Sequence, residues 1–133
     1  MKLILFFLAI AGMKTGHLKA IQGTWKPSTG ELGGKALPKA MLDKIVLVIK
    51  DDTYDYDEGA GHDYGTLKEV GTKPPLGLDI AGTKGPNKGL KYLAIYKIEG
   101  STLTICYGLD GRRPKSFTET DGKTLLMKYQ RAK

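Results

Sequence analysis

The feature that most constrains this chain is a recurring pattern: apolar stretches of strand length, each closed by a turn signal, with hardly a segment long enough for an amphipathic helix. Candidate strands run over 23–26, 44–50, 53–57, 63–70, 76–81, 91–99, 102–107 and 124–131, about eight in all. Between them stand Gly59-Ala60-Gly61, Pro74-Pro75, Gly85-Pro86-Asn87, Gly100-Ser101, Asp110-Gly111 and Asp121-Gly122, dipeptides and tripeptides that break regular structure. Only 38–43 reads as a helix, one or two turns long with Pro38 near its start.

Alternation with a period of two then sorts the strands into faces. Ile45, Leu47 and Ile49 share one side, as do Leu76, Leu78 and Ile80, Leu103, Ile105 and Tyr107, and Leu125, Met127 and Tyr129. Opposite them lie polar or small residues such as Gly77, Asp79, Thr102, Thr104, Lys128 and Gln130. A sheet with one apolar face and no helix to cover it must meet a second sheet or close on itself. Closure also removes exposed strand edges. The sequence therefore predicts an all-β chain forming a single antiparallel up-and-down β-barrel of about eight strands with one short helix; a β-sandwich is the alternative.

The 133 residues suit one domain, and an apolar fraction of 41% is enough for a real core. One cysteine excludes an intrachain disulfide framework and a Cys-rich zinc site. The N-terminus, MKLILFFLAIAG, has Lys2, an apolar run over 3–11 and a small-x-small end at Ala9 and Ala11. That is the layout of a secretory signal peptide, too short to span a bilayer. Cleavage near Ala11 is expected, leaving a secreted or periplasmic domain over 12–133 with no transmembrane span; a start at Met13 would instead give a cytoplasmic protein. The formal net charge of +7 is unevenly spread. Asp51, Asp52, Asp55, Asp57, Glu58 and Asp63 are close together, whereas Lys84, Lys88, Lys91, Lys97, Arg112, Arg113 and Lys115 make the later chain basic. Such a distribution suits an anionic surface or a protein partner, or is simply a solvated exterior.

Gly23-Thr24-Trp25 on the first strand, with Arg131 at the end of the last, resembles the Gly-x-Trp and terminal-Arg signature of lipocalin-like barrels. The resemblance implies that Trp25 closes one end of the core with the Arg131 cation over its ring. The order "LKAIQGTW", "GGKALP", "KIVLVIKDDTYDY", "LDIAGTKGPNKGL", "LAIYKIEGSTLTICY", "RRPKSF" and "LLMKYQR" is similar to the uncharacterised planctomycetal lipocalin-like domain family, over nearly the whole chain after the signal. In that resemblance Arg113, Pro114 and Phe117 form a structural connection into the final strand. It implies a fold and no particular reaction.

The tyrosines are the richest functional material. An eight-stranded barrel is either filled by side chains or wide enough for one small ligand. Tyr54, Tyr56, Tyr92, Tyr96 and Tyr107 are the candidate lining of such a pocket, offering apolar rings with a few hydroxyls; the competing reading makes them core or rim residues. Cys106 as a nucleophile lacks a base, since the only histidines are His17, near the signal, and His62, in a glycine-rich turn. The face Cys106 occupies is open, because it alternates with Thr102 and Thr104 rather than Leu103 and Ile105. The acidic run "DDTYDYDEGAGHD" does not fit a calcium loop, and Asp55 and Asp57 should share one strand face with Tyr54 and Tyr56 on the other. "GTKGPNKGLK" lacks the P-loop pattern and reads as a connection. The basic residues around Pro114 would suit single-stranded nucleic acid, a partner that export argues against.

The expectation is a non-enzymatic extracytoplasmic barrel that binds a small, partly apolar ligand, with no catalytic residue, metal or cofactor. The alternative is a filled barrel acting as a structural or surface-interaction module.

Overall fold

A computed structural model describes residues 16–133. The expected signal at 1–11, its cleavage site and Met13 lie outside the described residues. The elements are α1 (Gly16–Ala20), β1 (Gly23–Leu32), β2 (Lys35–Ala36), α2 (Lys39–Leu42), β3 (Val46–Lys50), β4 (Thr53–Asp57), β5 (His62–Val70), β6 (Leu76–Lys84), β7 (Lys91–Glu99), β8 (Thr102–Gly108) and β9 (Thr124–Arg131). Each strand from β3 to β9 pairs antiparallel with the next, and β1 pairs with both β3 and β9. This closes a barrel of eight strands, with β2 as one extra strand on the end of β1 at Glu31 and Leu32. A closed ring excludes the β-sandwich.

Short connections close one end of the barrel and long ones the other. At the first end Asp51-Asp52 joins β3 to β4 and Gly100-Ser101 joins β7 to β8. Asp51 is left-handed (φ 56°), as a tight hairpin requires, and Gln22 clamps it. The Gln22 Oε1 accepts from the Asp51 N–H at 2.6 Å and its Nε2 donates to the Asp51 carbonyl at 2.8 Å. At the opposite end stand the loops 58–61, 85–90 and 109–123, together with β2 and α2.

The inward face carries the apolar series. Leu47, Ile49, Leu67, Leu78, Ile80, Leu103, Ile105, Met127 and Tyr129 are all buried in one cluster. Trp25 is wholly buried at the short-loop end and packs in the same cluster as Leu18 and Ile21. Its Nε1–H donates to the Ile21 carbonyl at 2.9 Å. The Arg131 guanidinium carbon lies 4.3 Å from the centre of the Trp25 ring, and its nitrogens donate to the carbonyls of Gln22 and Ala20 at 2.5 and 2.9 Å. One cation thus ties the last strand to the first strand and to the helix before it.

Part of the outer face is also buried. The β8–β9 connection crosses it and carries the Arg-Pro-x-x-Phe segment. Arg113 donates to the Ala94 carbonyl at 2.8 Å and to Asp79 Oδ1 at 2.5 Å. Pro114 is buried, and the Lys97 ammonium lies 4.8 Å from the centre of the Phe117 ring. Ile95, Thr104 and Cys106, all on the outward face, are consequently buried.

Several boundaries differ from the expected ones. β1 runs on to Leu32 rather than stopping at 26, and β6 reaches Lys84 rather than 81. β3 starts at Val46, α2 occupies only Lys39–Leu42, and α1 and β2 were not anticipated.

Candidate functional site

The inward faces of β3 to β9 do not fill the barrel. A cavity of about 240 Å³ remains toward the long-loop end. Its deep wall is apolar, built by Leu47, Ile49, Leu67, Leu78, Ile80 and Ile105. Tyr54, Tyr56, Tyr92 and Tyr107 add phenol rings, and Glu58, Asn87 and Leu109 come from the loops. Four of the five tyrosines singled out from the sequence therefore converge on one space. The fifth, Tyr96, is not in this wall. It is buried among the core residues, and its hydroxyl donates to Glu69 Oε2 at 2.5 Å.

The polar side of the cavity is a connected network. Tyr54 Oη donates to Asp63 Oδ2 at 3.3 Å, and Asn87 Nδ2 donates to the same oxygen at 2.9 Å. The Asn87 backbone N–H donates to Asp63 Oδ1 at 3.0 Å, and Tyr92 Oη donates to Asn87 Oδ1 at 3.0 Å. Tyr107 and Tyr129 hydroxyls meet at 2.8 Å. Desolvation pushes the Tyr56 hydroxyl up to about 12, and it raises Tyr54 and Tyr107 further, with the Asp63 charge adding to the rise at Tyr54. These hydroxyls are therefore neutral hydrogen-bonding groups at neutral pH, with no phenolate to act as a base.

Two glycines make this network possible. Gly65 faces inward between Asp63 and Leu67, and a Cβ there would stand 2.5 Å from Tyr54 Cε2 and 2.1 Å from the Ala81 carbonyl oxygen. Its bare backbone gives the Tyr54 ring room to reach Asp63. A Cβ on Gly82 would fall 2.0 Å from the Asn87 carbonyl oxygen. Gly82 therefore lets the 85–90 loop fold tightly against β6, which is what places Asn87 on Asp63. The glycine- and lysine-rich loop is a connection, as its sequence suggests, but one that delivers a cavity residue.

Asp63 and Asn87 were missed as site residues, and one of them was detectable. Asp63 has the strand parity of Leu67, so on the expected strand it falls on the apolar face; the dense acidic run around it hides that. Asn87 carries no such signal, because loop residues have no periodicity.

The remaining candidates lie elsewhere. Asp55 and Asp57 project outward, where His62 Nδ1 lies 2.7 Å from Asp55 Oδ1 and Nε2 lies 3.7 Å from Asp57 Oδ2. The hydrogen bond to Asp55 raises the His62 pKa, and its ring stacks on Tyr64 at 5.7 Å. Cys106 takes the outward face. Desolvation, with help from Glu119 and Asp121, pushes its thiol up to about 11, the opposite of an activated nucleophile. The basic cluster around Pro114 is largely neutralised in place: Arg112 pairs with Asp110 at 2.9 Å and Asp121 at 3.5 Å, and Arg113 pairs with Asp79. The Arg112 hydrogen bond holds the Asp110 carboxyl below its ordinary value. Among the described residues no group of three or more His, Cys, Asp and Glu side chains is placed to hold a metal, and no helix is long and apolar enough to cross a membrane.

Comparison with family models, with curated proteins and with solved structures finds no match to this chain.

Proposed function

We propose that this protein is a non-enzymatic, lipocalin-like binding protein that holds a small, partly apolar molecule in its barrel, toward the long-loop end. The observation that carries the reading is the cavity of about 240 Å³, apolar in its depth and polar on one side. Binding sites for small molecules have this character: mostly hydrophobic walls with a few placed polar groups. The volume exceeds the ~150 Å³ apolar cavity that takes up benzene and falls below the ~300 Å³ at which pockets for drug-sized ligands begin. The occupant is therefore about one ring with a short arm.

Leu109, which lines the cavity, is 40% exposed, so the apolar wall continues to the protein surface there. The rival reading, a filled barrel working through its outer surface, needs an interior packed to native density, and the cavity counts against it. The lipocalin-like assignment rests on Gly23-Thr24-Trp25 with Arg131 over the ring. A role outside the cytoplasm rests on the signal-like sequence at 1–11.

The test is an NMR titration of the labelled protein with one-ring compounds such as indole and p-cresol. Saturable shifts confined to residues around Leu78, Ile105 and Tyr107 are expected, and they should be lost in Leu125→Trp, which places a larger ring in the cavity wall. Shifts scattered over the exterior, or unchanged in that variant, would overturn the reading.

A further inference from the structure

Among the described residues the cavity wall is charged with one sign only: Glu58 and Asp63 line it, and no Lys, Arg or His does. Asp63 is the more informative of the two, because it is 7% exposed and shares the inward face of β5 with Leu67. Its carboxylate is held by three neutral donors: the Asn87 N–H at 3.0 Å, the Asn87 side-chain amide at 2.9 Å and the Tyr54 hydroxyl at 3.3 Å. An ionised carboxylate offers about four acceptor sites, so one is left, and the Tyr54 contact is long enough to yield another.

No Lys, Arg or His nitrogen pairs with Asp63 among the described residues. A buried carboxylate compensated by neutral dipoles alone is costly, and a cation brought from the cavity side relieves it. The surrounding chain is also shaped to keep the acid there, since Gly65 and Gly82 admit the two side chains that hold it.

We propose that the ligand is a small organic cation: one ring carrying a short arm that ends in an ammonium group. The ammonium donates to Asp63, with Glu58 adding negative potential from the loop, and the ring lies among Leu67, Leu78, Ile80 and Ile105. The phenol rings of Tyr54, Tyr56 and Tyr92 supply the π-systems on which organic cations are favoured. The same wall disfavours fatty acids and other carboxylates, which would be desolvated beside two acids with no countercharge. This inference rests on the cavity being the binding site.

The experiment is a matched series on the intact protein at pH 7, read by calorimetry and NMR: 2-phenylethylamine (cation), 2-phenylethanol (neutral) and 3-phenylpropionate (anion). The amine is expected to bind at least about tenfold tighter than the alcohol, the usual worth of a hydrogen bond to a charged group, and the anion weakest of the three. Asp63→Asn should bring the ratio of amine to alcohol affinity down to about one. Glu58→Gln, at an exposed position, should reduce amine affinity by less than Asp63→Asn does. The wild-type series decides the matter even if Asp63→Asn does not fold. Alcohol or anion binding as tightly as the amine would overturn the cationic ligand and leave the cavity reading standing. Cavity shifts from none of the three would remove the cavity reading itself.

Discussion

Replacing Trp25 by alanine tests the architecture at its most loaded point. The side chain is wholly buried, its indole N–H donates to the Ile21 carbonyl at 2.9 Å, and Arg131 lies 4.3 Å from the ring centre. Truncating a buried Trp costs about 3–5 kcal/mol, including the cavity left behind. Loss of the partly exposed cation–π contact adds about 0.5–1 kcal/mol. Against a native stability of about 5–15 kcal/mol for a single domain, this removes a large share. The melting temperature should fall by roughly 10–20 °C. Trp25→Phe keeps most of the burial but removes the donor, leaving the Ile21 carbonyl unpaired, and should cost about 1–3 kcal/mol. Trp25 is the chain's single tryptophan, so urea unfolding of the variants must be followed by far-UV circular dichroism. A Trp25→Ala stability within about 1 kcal/mol of wild type would refute the claim that the ring plugs the barrel.

Three further outcomes follow from the outer surface. Arg113→Ala should cost about 1–2 kcal/mol in urea unfolding, because it strands Asp79 and the Ala94 carbonyl, and hydrogen exchange should quicken in residues 112–120 while β3–β5 stay protected. His62 should titrate above its ordinary 6.5 because of Asp55, and Asp55→Asn should bring the midpoint back down. Since its folded pKa is raised, the stabilisation from this pair is fully present below about 6.5 and fades as pH rises through the folded value. Cys106, buried with its thiol pushed up to about 11, should react with a thiol reagent at neutral pH only as fast as the protein opens, and stoichiometrically once unfolded.

The strands were legible where parity and turns spoke together. β4, β7 and β9 match the expected ranges at both ends, because each is bounded by a glycine, an aspartate turn or both. β1 runs past its expected end at 26, straight through Pro27-Ser28. The Thr24 carbonyl accepts from Ala132 beyond β9, so by alternation the Pro27 nitrogen faces the β3 side. The β1–β3 pairing has already ended at Trp25, and the missing N–H costs the sheet nothing. β6 runs past its expected end at 81, and Gly82 within it serves the close approach of the 85–90 loop. α1 and β2 are too short for any periodic signal.

The site was half legible for the same reason. Tyr54, Tyr56, Tyr92 and Tyr107 lie on strands whose parity points them inward. Tyr96 shares that parity and misses the cavity only because its height along β7 puts it nearer the Trp25 end, a quantity set by strand register and not visible in one strand. Asn87 reaches the cavity through a loop fold that no local pattern encodes.

The central claim, an occupied cavity inside the barrel, is tested most directly by native mass spectrometry of the protein purified gently from its own source and compared with its denatured mass. A reproducible extra mass, of the size of a one-ring compound and released on denaturation, is predicted. Equal native and denatured masses would contradict the account.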